Sequence, residues 1–190
     1  MGFKEYIMQD AYCIYDNNSF IKTVGRYFFN ISYRVRFQMR LIQFLESRGK
    51  IGSMLSRLIT IHYNRRNYKY GIYLPAKTQI GPGVFFVHNF PIVVHEASVI
   101  GKNCIIHPNV QLGTTRGKSG APIIGDNCFL GNGCHIIGNP RIGDWVFISP
   151  GAFVCKDIPS GSIVGFGINN ILSDNGKETI LRFQMSNMKQ

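Results

Sequence analysis

Two histidines and a glutamate stand close together in the otherwise apolar stretch GVFFVHNFPIVVHEA, Gly83 to Ala97: His88, His95 and Glu96. A neutral imidazole takes a proton from a hydroxyl near neutral pH, and a carboxylate or backbone carbonyl beside it fixes the ring's tautomer. In so hydrophobic a run His88 is either a packed residue bonded to backbone or a base kept in a dry place for chemistry. A third histidine, His107, follows not far on. The stretch GTTRGKSGAP, Gly113 to Pro122, adds the hydroxyls of Thr114 and Thr115 and the cations Arg116 and Lys118, a set suited to a loop that meets phosphate. The five cysteines, Cys13, Cys104, Cys128, Cys134 and Cys155, form neither a CxxC pair nor a zinc-finger spacing, so no metal is expected.

The elements that must position these groups announce themselves through a period of six. Stepping by six from Val94 gives Ile100, Ile106, Leu112, Lys118, Ile124, Leu130, Ile136, Ile142, Ile148 and Val154, aliphatic throughout except for Lys118. Such a period fits neither a helix nor an open-sheet strand; it fits a chain wound into a triangular prism whose ladders of aliphatics fill the interior. Glycine after many ladder positions, as at Gly101, Gly125 and Gly143, is expected to serve the corners. Small residues four places after the ladder, Cys104, Cys128 and Cys134 among them, are expected to point inward as compact hydrophobes. Lys118 breaks the series inside the Gly113–Pro122 stretch, which is therefore expected to leave the prism as a loop. Upstream, Leu74, Ile80 and Phe86 also step by six but two residues out of phase with Val94, and His88 lies in that irregularity.

The first 70 residues read differently. Ile21, Val24, Phe28, Ile31, Val35, Met39, Ile42 and Leu45 recur every three or four residues, predicting an amphipathic helix that ends near ESRGK; a second helical stretch covers 53–63. Residues 1–70 carry 12 Lys and Arg against 4 Asp and Glu, net +8, whereas residues 71–190 carry 9 against 6, net +3. Arg26, Arg34, Arg36, Arg40 and Arg48 read as a solvated basic face, with contact to an anionic membrane surface as the functional counterpart; no base-reading motif accompanies the charge, so nucleic acid is not expected as a partner. With no signal-peptide pattern and no apolar run that spans a bilayer, the expected location is the cytoplasm, with the inner face of the membrane as a place of contact.

Taken together, the hexads, the irregular VHNF, the motif IVVHEASVIG and the loop LGTTRGKSG resemble the serine O-acetyltransferase branch of the hexapeptide-repeat acyltransferases. That branch has DH where this chain has Val87 and His88, IVVGETAVI where it has IVVHEASVI, and LGGTGKSG where it has LGTTRGKSG. The resemblance implies a mainly β fold: a left-handed parallel β-helix of hexapeptide repeats over 71–168, preceded by a small basic α-helical region over 1–70 and followed by a C-terminal tail over 169–190. It also implies a homotrimer that uses acetyl-CoA in a groove between neighbouring prisms. By the same resemblance His88 is the general base and Glu96 its family glutamate, Thr114, Thr115 and Lys118 lie near the CoA arm, and Asn132 and Pro150 line the pantetheine channel. His95, His107 and Arg116 are the candidates for acceptor contact.

Four departures bear on the acceptor. The family's Asp near the start of the prism is Ile72 here, the Asp before the histidine is Val87, and the Arg and His that end the loop are Gly120 and Ala121. A site without those charges has little means of holding a zwitterion. The expectation is therefore transfer of acetyl to a sugar hydroxyl of a capsule, O-antigen or exopolysaccharide, nucleotide- or polyprenyl-linked, as in colanic-acid-type acetyltransferases. Serine O-acetyltransfer in cysteine biosynthesis is the alternative.

Overall fold

The computed structural model describes residues 2–15, 30–88, 91–117 and 119–187. From Ile72 onward the chain forms a three-sided left-handed parallel β-helix. Face A holds strands Ile72–Tyr73, Ile92–Val94, Gln111–Gly113, His135–Ile137, Ala152–Val154 and Gly167–Ile168. Face B holds Gln79–Ile80, Val99–Ile100, Ile123–Ile124 and Arg141–Ile142; face C holds Phe85–Phe86, Ile105–Ile106, Phe129–Leu130, Phe147–Ile148, Ile163–Val164 and, antiparallel, Ile171–Ser173. The ladder residues from Val94 to Val154 are buried to 3 % exposure or less, leaving out Lys118, which lies outside the described residues. Cys104, Cys128 and Cys134 are fully buried beside them, where burial raises the Cys134 thiol to about 12.

Register turns the hexads into coils. Ile124 pairs with Ile142, Leu130 with Ile148 and Ile136 with Val154, each eighteen residues or three hexads apart. Ile80 pairs with Ile100 and Phe86 with Ile106, twenty apart, and the two extra residues fall in the corner at His88. Ile100 pairs with Ile124 and Leu112 with Ile136, twenty-four apart, so one whole hexad leaves the prism between Gly113 and Pro122.

The glycines after the ladder positions do a different job from the expected one. The residues that turn the corners are others, at positive φ: Asn103, Asn127 and Trp145 between faces B and C, Asn109 and Gly133 between C and A. Gly125 instead sits where the next coil passes; a Cβ there would stand 2.7 Å from the Gly143 carbonyl carbon. What glycine supplies at that position is room for the neighbouring coil.

A parallel β-helix leaves the backbone carbonyls of its first coil without strand partners, and buried carbonyls need donors. Helix α2 (Ile31–Glu46) meets that need, with helix α1 (Phe3–Tyr15) packed beside it. Asn30 caps α2 by accepting from the Tyr33 amide at 3.0 Å. At successive turns of α2, Ser32 donates to the Phe86 carbonyl, Arg36 to Val84, Arg40 to Ile80 and Gly81, and Gln43 to Ala76. From α1, Asp10 accepts from the Gly83 amide at 2.8 Å and pairs with Arg40 at 3.3 Å. Helix α3 (Gly49–Lys69) adds the Tyr63 hydroxyl, donated to Leu74 at 2.7 Å.

The expected solvated basic face is therefore corrected in part: Arg36 and Arg40 are 0 % and 6 % exposed, because five fixed donors per guanidinium suit a row of carbonyls better than water does. The start of the expected first helix, residues 21–29, lies outside the described residues. At the other end of the chain helix α4 (Gly176–Asn187) lies against the outside of face C, where Ile180 packs on Ile105 and Phe129 with Val87 and Phe183 at the margin.

Candidate functional site

The corners of the prism sort the sequence-predicted residues onto two edges. His88, His107, Asn132 and Pro150 all lie where face C gives way to face A, on successive coils. His95, Glu96, Thr114, Thr115 and Arg116 lie where face A gives way to face B. The structure brings each set together along its own edge and holds the two sets apart, with face A between them.

On the histidine edge, the two extra residues of the first coil lift His88 out of the ladder. Its φ is 61° and its side chain is exposed. A residue with a Cβ pays about 1–2 kcal/mol for that conformation, and the surrounding structure holds it there: Val87 on one side donates its amide to the Ile106 carbonyl at 2.9 Å. One coil on, His107 is half-buried, its ring 4.8 Å from Phe129 and 6.0 Å from Phe183 by centroids. Its Nε2 is buried and has no hydrogen-bond partner among the described residues. Burial first, and the charge of nearby His88 second, lower its pKa below the ordinary 6.5. Further along, the Asn132 carbonyl accepts from the Gly151 amide at 2.9 Å, stacking the Asn132 and Pro150 corners beneath the histidines.

On the other edge, His95 is half-buried and its Nδ1 accepts from the Ala97 amide at 3.2 Å, an arrangement internal to its own turn. Glu96 is exposed and lines a cleft of about 280 Å³ between α3 and the first corners of the prism, with Lys77, Asn64 and Asn67. Thr114 is half-buried while Thr115 and Arg116 are exposed; Lys118 falls outside the described residues. Gly120 closes the loop at φ 97°, where a side chain would collide with Asn139.

Three features of the site were missed from sequence. Phe129 and Phe183 wall the His107 ring; Phe129 does so from the outward position beside the ladder residue Leu130, and Phe183 from a helix that the reading of a C-terminal tail did not contain. The third is the left-handed backbone at His88, for which the phase shift in the hexads was a signal.

Residues 121–156 match the family model "Bacterial transferase hexapeptide (six repeats)". The serine acetyltransferase of Synechococcus elongatus is 33 % identical over 114 residues, 59 % of this chain, and the chain spans only 43 % of that relative. The serine acetyltransferase of Helicobacter pylori is 33 % identical over 125 residues, covering 64 % of this chain and 67 % of the relative. Among solved structures, serine acetyltransferase isoform 3 of Entamoeba histolytica, in complex with cysteine, superposes with a TM-score of 0.70 at 25 % identity over 87 % of this chain and 58 % of its own.

These relatives overturn the expectation of a sugar acceptor and of a colanic-acid-type enzyme: all three are serine acetyltransferases by name. That expectation rested on uncharged residues at Ile72, Val87, Gly120 and Ala121. The structure shows two of these in scaffold roles: Ile72 is 7 % exposed and pairs with Ile92, and Val87 packs against the apolar cluster under α4. With the hexad coils, the matching family model and a relative sharing a third of its residues over most of that relative's length, the chain belongs to the hexapeptide-repeat acyltransferases.

Proposed function

We propose that this protein is an acetyl-CoA-dependent serine O-acetyltransferase in which His88 is the general base and the site forms between copies of the chain in a homotrimer. The observation that carries the reading is the placement of His88: exposed, lifted from the ladder by two extra residues and held at positive φ, in a chain similar to named serine acetyltransferases. In the reaction the serine hydroxyl oxygen attacks the thioester carbonyl while the His88 imidazole takes the hydroxyl proton. The tetrahedral oxyanion then collapses, the C–S bond breaks, and the imidazolium returns the proton to the departing CoA thiolate. O-Acetylserine and CoA leave.

The two-edge arrangement supports the trimer. A thioester laid along the loop edge of one prism cannot reach His88 on the other edge of the same prism, but it can reach His88 of a neighbour. Thr114, Thr115 and Arg116 then contact the CoA arm and its phosphates, while Asn132 and Pro150 line the channel beside the histidines. Within one chain Glu96 does not share an edge with His88, so a carboxylate from Glu96 serves His88 across the subunit boundary or not at all. His107, held neutral on the same edge, is the nearer group for steering the His88 ring.

Thiol release from acetyl-CoA, measured with and without serine, tests the reading. Turnover that depends on serine is the expected result; no release with serine, in protein that acetyl-CoA stabilises against heat, overturns serine as the acceptor while leaving the donor in place.

A further inference from the structure

Helix α3 carries more apolar surface outward than it buries. The face it lays on the rest of the fold consists of Gly52, Ser56, Ile59, Tyr63 and Asn67, whereas Ile51, Met54, Leu55, Leu58, Ile61 and Tyr68 are 43 % to 76 % exposed. Their spacing puts the six on one side of the helix, a stripe about 26 Å long. Single exposed apolar residues are ordinary on a protein surface, but six aligned on one helix mark a contact.

Charge decides what the contact is with. Residues 49–69 contain no Asp or Glu, and Lys50, Arg57, Arg65 and Lys69 are all exposed on α3. Arg65 falls within the arc of the apolar stripe itself, seven residues beyond Leu58. Packing two α3 helices together through this face would set cation against cation with no acid in either helix to answer, which a pairing of copies disfavours. A lipid surface answers both features at once. The apolar stripe enters the headgroup boundary while the long stems of Lys50, Arg57, Arg65 and Lys69 carry their charges up to the phosphates. No helix among the described residues is long and apolar enough to cross a membrane, so α3 would lie in the plane of the interface.

We propose that the exposed face of α3 docks this protein on an anionic lipid surface. The test is sedimentation of the full chain with vesicles of phosphatidylcholine alone and of phosphatidylcholine mixed with phosphatidylglycerol, repeated with the Leu58→Glu/Ile61→Glu double variant. Both positions are exposed, so the variant should melt like the parent. Binding to the mixed vesicles, with a partition coefficient lowered at least about tenfold by the double variant, is the expected result. Failure of the parent to bind mixed vesicles overturns the proposal. So does equal binding by the variant, since the net charge of +11 would then be adsorbing the protein without α3. If the variant instead reduces the oligomeric mass in solution, the face belongs to a second copy of the chain and the membrane reading falls.

Discussion

The two edges that carry the candidate residues are built in opposite ways. On the histidine edge each coil turns within a few residues, the corners of Asn109, Gly133 and Gly151 are stacked by backbone hydrogen bonds, and only two residues are added, at His88. On the loop edge a complete hexad has been expelled and hangs outside the prism. A small insertion into a rigid edge points one side chain; a large one into the other edge makes a surface that can follow a ligand. Under the proposed function the difference separates the base on one edge from the loop contacts to the donor on the other, so each can be broken alone.

The largest expected effect lies on the rigid edge. His88→Ala should lower kcat by about 10²- to 10⁴-fold, the range for losing a positioned base, with little change in melting temperature because the side chain is exposed. A stopped thiol-release assay on purified variant checks it, and a kcat within a few-fold of the parent would remove His88 from the mechanism.

Next comes a deletion that the register makes clean. Removing residues 114–119 brings Ile124 to six residues after Leu112 and restores an uninterrupted hexad, so the shortened chain should fold and yet be inactive. Co-expressed with the His88→Ala chain, it should recover activity: each mixed trimer has one boundary that pairs an intact His88 with an intact loop, about a quarter of all boundaries when equal amounts assemble at random. Recovery is measured against each inactive variant alone. If the mixture stays inactive while mixed trimers are present, the two edges do not cooperate across a boundary.

How much of this was legible in the sequence depends on what each residue contacts. The ladder from Val94 to Val154 was readable because burial in a prism imposes one residue class at one period, and the phase shift before Val94 located the irregular corner at His88. Arg36 and Arg40 were legible as part of a helix's basic face but not, together with Ser32 and Gln43, as a cap on the first coil. A polar stripe at three- and four-residue spacing normally means solvent, and the unpaired carbonyls it serves exist only once the first coil is wound. Helix α4 escaped because Ile180 and Phe183 supply too little periodicity to separate it from a tail. The acceptor was misread because uncharged Ile72 and Val87 say what those positions pack against, not what the site binds.

A smaller effect sharpens the description of the histidine edge. His107 titrates below 6.5 in the folded chain, through burial and the proximity of His88, and returns to about 6.5 on unfolding. Between those two values the unfolded chain holds a proton that the folded chain lacks. This contribution to stability is therefore complete above about pH 6.5 and is lost as the pH falls toward the folded value. His107→Phe removes the titrating group and keeps a ring between Phe129 and Phe183. The drop in melting temperature between pH 7.5 and pH 5.5 should be smaller in the variant than in the parent; an equal drop would mean that other groups set the acid sensitivity.

The smallest effect is expected at Glu96, and it discriminates between two ways of orienting a base. Its carboxylate is exposed on the loop edge, far around the prism from His88 of the same chain. A tautomer-setting carboxylate acts in the transition state, so losing it would depress kcat by orders of magnitude with KM little changed. A group that only borders the donor's groove would shift KM for acetyl-CoA by a few-fold and leave kcat alone. With His107 already beside His88, Glu96→Gln should follow the second pattern. A collapse of kcat would instead place Glu96 of a neighbouring chain against the His88 ring, making the loop edge part of the chemistry as well as of the binding.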